Sequence, residues 1–385
     1  MSATRTKRVL SVHPVAERGG SDYCLLGMVR ILADDGWECH IALPTRSPLQ
    51  EDFLAAGAIL HVVPMRRITT SGSAWYWAGY AALWPVSVIR LLVLARRVRA
   101  DVVHSNSLHS WYGWAVAALL RKPHLWSARE IVVQSRAALR LERWLCRHFA
   151  TVVLAASTAV ARQLRGARVV VVHDVPDAER FRPGNAGRFR PRVGISDTVR
   201  LVGAAGRIDT WKGFGIVLDA VPSIREHRRD VEFVVAGGSV AGKEAYADEL
   251  ARRASSLEGV HWLGPRTDMS DLLADLDVFV LASTEPEPFA TVLAEALASG
   301  VPCVATDHGG SPEMLANVKS EDSVLVRPGD AAALAAGVTA LVPPGPSSED
   351  ERRSRHALHV SASPTFAEVF DDAVSREAAI HASRR

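Results

Sequence analysis

Two loop segments in the second half of the chain combine cations, glycines and carboxylates in an order that suits a phosphate-bearing ligand. The first, Gly206–Gly213 (GRIDTWKG), follows the apolar run LVGAA and contains Arg207 and Lys212 beside glycines. Glycine lets the backbone approach a ligand closely. An arginine fork together with a lysine point charge can hold a diphosphate. The alternative for this segment is a surface loop whose cations are solvated.

The second segment, Glu285–Glu295 (EPEPFATVLAE), follows the run VFVLAS and places Glu287 in a loop and Glu295 in a predicted helix. The start of that helix, near Ala290 and Thr291, presents unpaired N–H groups and the positive end of the helix dipole, which favour an anion. A carboxylate beside an anion site makes sense if it binds hydroxyl groups of the same ligand. A ligand that carries both phosphate and hydroxyl groups is a nucleotide sugar. The alternative is two exposed glutamates on a helix and its cap.

Two further segments are rich in glycine. In Ser299–Glu313 (SGVPCVATDHGGSPE), Gly300 ends a predicted helix and Gly309 and Gly310 form a turn after the next strand. In the first half, the glycine pair of Gly19–Asp22 (GGSD) lies between a predicted strand and a predicted helix. This form offers a second place where backbone N–H groups could meet a phosphate.

Other motifs argue against other classes of protein. Gly237–Lys243 fits the spacing of a P-loop, but Glu244 follows where a P-loop needs Ser or Thr for magnesium. Asp275–Asp277 (DLD) resembles a metal-binding pair, yet its place between a helix and a strand is explained by capping and packing. The chain contains no H-E-x-x-H, G-x-S-x-G or G-x-G-x-x-G, which argues against a zinc protease, a serine hydrolase and a dehydrogenase.

The elements that must position these segments alternate between short apolar runs and stretches with helical periodicity. Strands are predicted at 8–13, 38–43, 59–63, 102–104, 124–126, 152–155, 169–172, 200–204, 231–236, 260–263, 278–281 and 301–305, and helices at 21–35, 213–224, 243–257 and 291–299. Strands separated by helices imply parallel sheets covered on both faces. The predicted fold class is therefore α/β, with two Rossmann-like domains facing across a cleft. Ligands of such sheets bind beyond the carboxyl ends of the strands.

Composition limits the class of protein further. The chain has 385 residues, a length that exceeds what one small hydrophobic core usually fills. Its hydrophobic fraction of 48% is too high for a disordered chain. A net charge of +3 argues against a nucleic-acid binder that relies on bulk charge. The four cysteines lie far apart without a C-x-x-C spacing. They are predicted to be free or buried thiols of a reducing compartment.

The domain boundaries are predicted from polar stretches. Arg182–Asp197 is rich in Arg, Pro and Gly and is interpreted as a linker. The predicted domains are residues 1–185 and 186–345. Residues 346–385 are predicted to form a polar loop followed by a helix near 364–379 that packs back on the body.

The stretch from Ala74 to Ala95 (AWYWAGYAALWPVSVIRLLVLA) has roughly the length of a membrane span, but Pro85 and Arg90 interrupt it. It is interpreted as a buried helix or helix pair. A second interpretation is an interfacial helix that touches an anionic membrane, where aromatic and Arg residues are favoured. A helix that spans the membrane is kept only as the last of the three interpretations. No signal-like apolar run follows the basic start of the chain. A cytoplasmic protein is therefore expected, with a peripheral position at the inner face of the membrane as the alternative.

On these motifs the second half resembles the donor domain of a family 4 glycosyltransferase with the GT-B fold. The matching elements are GR-x4-KG, the E-x7-E string with PEPF, and EALASGVPCVATDHGGSPE. The first half resembles the acceptor domain through GGSD, DVVHSNS (101–107) and LWSAREI (125–131). The resemblance implies an acceptor-binding first domain and a donor-binding second domain.

The resemblance implies a retaining glycosyltransferase of hexosyltransferase type that uses a nucleotide-diphosphate sugar, with no cofactor and no active-site metal. Arg207, Lys212 and Glu287 are the implied catalytic residues, of which the two cations hold the diphosphate and Glu287 contacts the sugar hydroxyls. Glu295 would bond the ribose. The remaining implied donor-binding residues are Gly20, Arg266, Thr267, Phe289, Ala290 and Thr291, where Arg266 and Thr267 belong to the segment Gly264–Asp268 that frames the base.

On the acceptor side the implied candidates are Asn106, His109, Ser127 and Arg129. Ser127 stands where relatives with W-H-V-R-E carry a histidine, and His104 or His109 is a candidate replacement. The acceptor stays open among a glycan, a lipid-linked acceptor and a small natural product. Two alternatives to transfer also stay open, namely a non-catalytic GT-B binding or scaffold protein, and a nucleotide-sugar isomerase or hydrolase. No nucleic-acid partner is expected.

Overall fold

The computed structural model of the protein describes residues 6–17, 19–69, 72–132, 135–174, 176–345, 347–356 and 365–383. The chain divides into two compact units. The first unit comprises Met1–Val175 together with Ala362–Arg385, and the second comprises Pro176–Ser361. Each unit is built on one parallel sheet, which confirms the predicted α/β class with two domains.

The first unit contains a seven-stranded sheet with the order β3-β2-β1-β4-β5-β6-β7. Its strands are β1 Arg8–Val12, β2 Glu38–Leu43, β3 Ala58–Val62, β4 Val102–Ser105, β5 His124–Ala128, β6 Val152–Ala155 and β7 Val169–Val171. The helices between them are α1 Gly20–Asp34, α2 Gln50–Ala55, α3 Ala74–Arg97, α4 Gly113–Leu120, α5 Arg136–Phe149 and α6 Thr158–Gln163.

The strand order decides on which face of this sheet each helix lies. The chain moves from β1 through β2 to β3 in one direction and from β4 to β7 in the other. Because crossovers between parallel strands are right-handed, α1 and α2 cover one face, and α3, α4 and α5 cover the opposite face. The core agrees, since residues of α1 and α2 share one apolar cluster and residues of α3 and α4 share another.

The second unit contains a six-stranded sheet with the order β10-β9-β8-β11-β12-β13. Its strands are β8 Arg200–Ala205, β9 Val231–Ala236, β10 Val260–Gly264, β11 Val278–Leu281, β12 Cys303–Thr306 and β13 Ser323–Val326. Its helices are α7 Arg190–Val193, α8 Phe214–His227, α9 Glu244–Ser255, α10 Met269–Asp275, α11 Thr291–Ala298, α12 Ser311–Leu315, α13 Ala331–Leu341 and α14 Glu349–His356, with short 3₁₀ turns at Pro183–Asn185 and Thr210–Lys212.

The stretch predicted to be a linker, Arg182–Asp197, is instead folded into the second unit. It forms a 3₁₀ turn and α7, and Phe189 is fully buried in the core. Arg190 is also buried and lies 2.8 Å from Asp277. The boundary between the units therefore falls at Val175 and Pro176, ahead of the predicted position after residue 185.

The predicted polar loop after residue 345 is also wrong in its described part, which forms helix α14. Arg352 on this helix is buried and donates to the carbonyl oxygen of Leu276 at 2.7 Å. Pro346 and residues 357–364, which the prediction also covered, lie outside the described residues. The predicted C-terminal helix is present as α15, Phe366–Ser383.

Helix α15 belongs to the first unit although it ends the chain. Phe366 and Phe370 are buried in the same apolar cluster as residues of α1 and α2. The indole N–H of Trp37 donates to Asp371 at 3.1 Å, and the ring of Phe370 packs edge-on against the same indole. Apolar packing between residues far apart in sequence therefore adds α15 to the helices that cover this face of the first sheet.

Helix α3 is a single helix with Pro85 inside it, and Ser73 caps its start by accepting from the N–H of Tyr76 at 3.2 Å. Among the described residues it alone is long and apolar enough to cross a bilayer. Its inner face is nevertheless buried through Val88, Leu91 and Ala95. Helix α3 thus packs on the sheet through one face only.

Candidate functional site

The two predicted ligand-binding segments follow the strands at which the order of the second sheet reverses. From β8 the chain continues to β9 on one side, and from β11 it continues to β12 on the other. Ligands of open α/β sheets bind at such a switch point, beyond the carboxyl ends of the strands. Gly206–Gly213 follows β8, and Glu285–Thr291 follows β11, so the fold brings both segments to this place.

Lys212 and Glu287 meet at the switch point. The ammonium nitrogen of Lys212 lies 2.6 Å from Glu287 Oε2, and the side chain of Glu287 is only 4% exposed. Ser283, which follows β11 directly, donates its hydroxyl to Glu287 Oε1. Each carboxylate oxygen therefore receives one donor from the protein and keeps capacity for a hydroxyl group of a ligand.

The ammonium of Lys212 also keeps capacity for a ligand. It lies 4.5 Å from the centre of the Trp211 ring, and one of its three N–H groups is used by Glu287. The backbone N–H of Thr284 donates to the carbonyl oxygen of Trp211 at 2.7 Å, which ties the two loops together. The cation is thus held by both loops before any ligand arrives.

Glycines allow these loops to pack backbone against backbone. Gly213 has φ +72, and a Cβ atom there would lie 1.8 Å from the carbonyl oxygen of Ala282. Gly309 has φ +62, and a Cβ atom there would lie 2.2 Å from the carbonyl oxygen of Glu287. The N–H of Gly310 donates to that same oxygen at 2.8 Å. Any side chain at Gly213 or Gly309 would displace the loop that carries Glu287.

Arg207 and the start of α11 supply unused donors. Arg207 is exposed, and within the described residues its guanidinium forms no ion pair or hydrogen bond. Ala290 precedes the first residue of α11 and offers no capping side chain, so N–H groups of the first helical turn are left for a ligand. Phe289 and Thr291, which the sequence also assigned to donor binding, flank this position.

Glu295 lies within α11, and its carboxyl group is perturbed by its surroundings. Burial raises the pKa of Glu295 to about 7, while the positive charge of Arg180 acts in the opposite direction. A carboxyl group with this pKa changes its protonation state near neutral pH. Ser283 and Arg180, which act on the two glutamates, were not identified from the sequence, because each lies outside the motifs.

The P-loop-like segment Gly237–Lys243 contacts the loop of Arg207 and Lys212 through its last residue. Lys243 pairs with Asp209, which lies in the loop of Arg207 and Lys212 and accepts from the N–H of Thr210 at 2.7 Å. Burial alone would raise the pKa of Asp209, but the hydrogen bond and charge of Lys243 outweigh it and lower the pKa. Lys243 therefore stabilises the loop through an ion pair, a role that the sequence did not reveal.

The predicted base-framing segment lies beyond β10, at the edge of the sheet. The guanidinium of Arg266 pairs with both carboxylate oxygens of Asp268, at 2.8 and 2.7 Å, and lies 5.7 Å from the centre of the Phe189 ring. Thr267 is exposed. The described contacts of Arg266 do not include Lys212 or Glu287, so the structure does not bring it together with that pair.

In the first unit, Gly20 begins α1 and Asn106 follows β4, and a buried histidine connects them. The Nδ2 group of Asn106 donates to Nδ1 of His13 at 3.2 Å and to the carbonyl oxygen of Ser21 at 3.0 Å. Nε2 of the same ring lies 3.3 Å from Asp22 Oδ1. These three side chains are fully buried and hold the glycine loop in place.

The other acceptor-side candidates also form internal contacts. Ser127 bonds Nε2 of His104 at 2.8 Å, and burial lowers the pKa of His104 well below its usual range. His104 has no exposed surface and thus does not replace the missing histidine as a ligand contact. Arg129 pairs with Asp174 at 2.9 Å, and both line one small pocket with Ser127.

His109 is the candidate of this group with substantial exposure. Its Nδ1 lies 2.9 Å from Glu142, and its side chain is 37% exposed. Burial alone would lower the pKa of His109, but the hydrogen bond with Glu142 and the charges of Glu130 and Glu142 outweigh it and raise the pKa.

The described residues contain no group of three or more His, Cys, Asp or Glu side chains that could hold a metal ion. Asp275 accepts backbone N–H groups of Phe189 and Arg190 at 2.7 and 2.9 Å. Asp277 pairs with Arg190, as described above. The aspartates of the DLD motif are therefore engaged in packing, as the sequence indicated.

Two family models match the chain. The model described as "Glycosyltransferase Family 4" matches residues 18–180, and the model described as "Glycosyl transferases group 1" matches residues 199–343. Together they cover most of both units.

Curated relatives match over part of their length. The lipopolysaccharide core biosynthesis mannosyltransferase LpsB of Rhizobium meliloti is 28% identical over 194 residues, which is 49% of this chain and 55% of the relative. A D-inositol 3-phosphate glycosyltransferase of Mycobacterium marinum is 37% identical over 151 residues, which is 38% of this chain and 31% of the relative. The chain thus spans about half or less of the length of these relatives.

Solved structures match over nearly the whole chain. HepE of Anabaena in complex with UDP and glucose has a TM-score of 0.77 at 21% identity, covering 98% of this chain and 100% of its own. Sucrose-phosphate synthase of Thermosynechococcus elongatus has a TM-score of 0.69 at 16% identity, covering 98% of each chain. At these identities the likeness concerns the fold.

Proposed function

Since the chain belongs to the family 4 glycosyltransferases and has the GT-B fold, we propose that it is a retaining enzyme that transfers a hexosyl residue from a nucleotide-diphosphate sugar to an acceptor hydroxyl. The observation that carries this proposal is the contact of Lys212 with Glu287 at the switch point of the second sheet. It places a cation for phosphate and a carboxylate for hydroxyl groups next to each other.

The first task of such a site is to stabilise the departing diphosphate. Glycosyl transfer builds negative charge on the leaving group, and fixed donors aimed at that charge lower the barrier. Within the described residues the guanidinium of Arg207 has no partner, Lys212 has unused N–H groups, and the first turn of α11 has no capping side chain. These groups supply the positive charge for which other enzymes use a divalent metal, so no metal is assigned.

The second task is to form the new bond on the face that the leaving group occupied. The bond from the anomeric carbon to the phosphate oxygen breaks, the bond to the acceptor oxygen forms, and the acceptor proton passes to the leaving phosphate oxygen. This route needs no carboxylate nucleophile, unlike that of a retaining glycosidase. Glu287, restrained by Lys212 and Ser283, is assigned to the hydroxyl groups of the sugar instead.

The donor is proposed by class. HepE, whose fold matches, has been crystallised with UDP and with UDP-glucose, and LpsB is named a mannosyltransferase. UDP-sugars and GDP-mannose are therefore the first donors to test. The acceptor is proposed to carry a free hydroxyl on a glycan, a lipid-linked sugar or a small natural product.

The test combines nucleotide binding with turnover. Thermal shift against UDP, GDP and ADP, and against their sugars, identifies the nucleotide, and release of nucleoside diphosphate is then measured with and without acceptors. Arg207→Ala is compared with Arg252→Ala, since Arg252 is an exposed arginine near the far end of α9. We expect Arg207→Ala to lose most of the nucleotide stabilisation and about 10²-fold or more in transfer rate, and Arg252→Ala to keep both.

The other outcomes separate the alternatives. Stabilisation that persists undiminished in Arg207→Ala would remove this residue from the site. Nucleotide binding without turnover of any donor would favour a binding protein. Acceptor-independent release of nucleoside diphosphate would favour a hydrolase, and an altered sugar on an intact nucleotide would favour an isomerase.

A further inference from the structure

The positive charge of the chain is concentrated in one part of the first unit. Residues 53–150 contain thirteen Arg and Lys against three Asp and Glu, a net charge of +10, whereas the full chain carries +3. The remaining residues therefore carry a net charge of −7. All three acidic residues are engaged, Asp101 with the backbone N–H of Arg8, Glu130 with the Ser107 hydroxyl and Glu142 with His109. Arg67 and Arg129 pair with Glu17 and Asp174, and the other cations leave this part of the molecule strongly positive.

Helix α3 adds an exposed apolar stripe to this charge. Positions 75, 78, 82, 86, 89 and 93 follow one another at spacings of three or four, so they lie along one side of the helix. Trp75 is 86% exposed, Ile89 60% and Val93 59%. The helix contains no Asp or Glu, and Arg90, Arg96 and Arg97 border the stripe near its end. Extended apolar surface of this kind marks an interaction site.

Beside the stripe, aromatic contacts connect α3 with the neighbouring helices. The ring centres of Trp84 and Trp114 are 6.1 Å apart, those of Trp114 and Phe149 are 4.5 Å apart, and those of Phe149 and Trp144 are 5.7 Å apart. Trp144 on α5 is half exposed and lies between Arg140 and Arg147 in sequence. Trp84, Trp114 and Phe149 are partly buried against the core, so this row of rings connects α3 with the half-exposed Trp144 on the same side of the sheet.

A basic groove lies at the end of α3. It has a volume of about 250 Å³ and is lined by Ala95, Arg96, Arg99, Ala100, Leu120 and Lys122. None of its three cations forms an ion pair within the described part of the chain, and no acidic residue lines the groove. Arg99 has φ +54, a conformation in which glycine is favoured over other residues. Three cations around an apolar floor suit the phosphate of a lipid headgroup.

We propose that the first unit docks on an anionic lipid bilayer through the outer face of α3, and that the groove at the end of this helix takes a lipid phosphate. Tryptophan and arginine are favoured at the boundary between headgroups and acyl chains. The helix lies on the membrane and does not span it, because Leu91 and Ala95 on its inner face are buried in the protein core.

Other occupants fit this surface less well. A second copy of the chain would bring two strongly positive surfaces together. A nucleic acid would match the charge but would leave the apolar side chains of Trp75, Ile89 and Val93 without a partner. An anionic bilayer satisfies both the charge and the apolar stripe.

The experiment is flotation of the full chain with phosphatidylcholine vesicles that contain or lack phosphatidylglycerol. We expect binding to the anionic vesicles, weaker binding to neutral vesicles, and a decrease with added salt. Ile89→Ser with Val93→Ser should reduce the affinity at least tenfold. Leu325→Ser, a change at an exposed apolar residue of the second unit, is the matched control and should leave binding unchanged.

Arg99→Gly tests the groove without straining the fold. Glycine adopts the conformation of Arg99 without steric cost, so the melting temperature should stay constant or rise. Vesicle affinity should nevertheless fall about fivefold, since each cation near an anionic surface contributes appreciably. Arg252→Gly is the control for loss of a cation elsewhere.

Three results would overturn the proposal. These are absence of binding to anionic vesicles, dimerisation that the Ile89 and Val93 changes abolish, and binding of RNA that withstands those changes. Stabilisation by inorganic phosphate that Arg99→Gly removes, without vesicle binding, would identify a small-anion site and overturn it as well. Nucleotide stabilisation is measured in every variant, so a failure of the membrane surface is distinguishable from a failure of the proposed activity.

Discussion

The ammonium nitrogen of Lys212 and Oε2 of Glu287 lie 2.6 Å apart although the two residues are 75 positions apart in sequence. The loop after β8 supplies the cation and the loop after β11 supplies the carboxylate. The ion pair therefore joins the two loops at the switch point of the second sheet. Before a ligand arrives, the charge of Lys212 is compensated by Glu287. A diphosphate must therefore compete with Glu287 for this cation or share it.

This competition makes Glu287→Gln informative. We expect the rate of sugar transfer to fall about 10²-fold or more, because the carboxylate that holds the sugar hydroxyls is lost. Affinity for the nucleoside diphosphate should be retained or increase, since Lys212 no longer has an anionic partner. Calorimetric titration and a transfer assay measure the two quantities. Glu285→Gln, at an exposed residue of the same loop, is the control, and an equal loss of affinity and rate in Glu287→Gln would contradict the assignment.

The raised pKa of Glu295 predicts a pH-dependent effect on stability. The carboxyl group titrates near 4.5 when unfolded and near 7 when folded, so between these values the folded state binds a proton that the unfolded state does not. Its contribution to stability is therefore full below about pH 4.5 and is lost as the pH rises towards 7. Glu295→Gln should raise the melting temperature more at pH 8 than at pH 5 in thermal denaturation without ligand. A gain that is the same at both values would show that the carboxyl group does not titrate in this range.

The buried charges around Asp277 predict a large loss of stability. Its side chain is 1% exposed and lies 2.8 Å from Arg190, 3.9 Å from Arg200 and 3.8 Å from Arg352. Asp277→Ala leaves buried arginines unpaired, which should cost about 3 to 5 kcal/mol in free energy of unfolding. Asp271→Ala removes a more exposed partner of Arg192 and should cost less than about 1 kcal/mol. Similar losses for both variants in urea denaturation would rule out a special role for the buried cluster.

The return of α15 to the first unit can be tested at Phe370. The residue is fully buried and packs against Trp37 and His104. Phe370→Ala should destabilise the first unit by about 3 to 5 kcal/mol, whereas Ser375→Ala at an exposed position of the same helix should have little effect. Denaturation followed by Trp fluorescence reports this, because Trp37 contacts the deleted ring. An unchanged transition for Phe370→Ala would show that α15 does not stabilise this unit.

Apolar runs predicted the strands well because parallel strands are buried on both faces. The bounds of β9 and β11 agree with the prediction, and both ligand segments lie directly after strands, as expected. Polar composition misled the prediction for Arg182–Asp197 and for α14. One arginine of each stretch, Arg190 and Arg352, is buried in the structure and pairs with Asp277.

The overall charge does not show how charge is distributed along the chain. The value of +3 for the chain is the sum of a strongly positive segment and a negative remainder. The distribution along the sequence is readable from the residues, but the side on which α3 exposes Ile89 and Val93 is not. That side depends on which face of the helix packs on the sheet.

The amino-acid sequence by itself determined the alternation of strands and helices, the glycines that permit tight loops, and the kinds of side chain that follow each strand. These are local properties of neighbouring residues and of their periodicity. Only the tertiary structure decided that Lys212 meets Glu287, that Arg190 and Arg352 share Asp277, and that Phe370 covers the first sheet. These relationships depend on strand order and on long-range packing, which join residues that no local pattern connects.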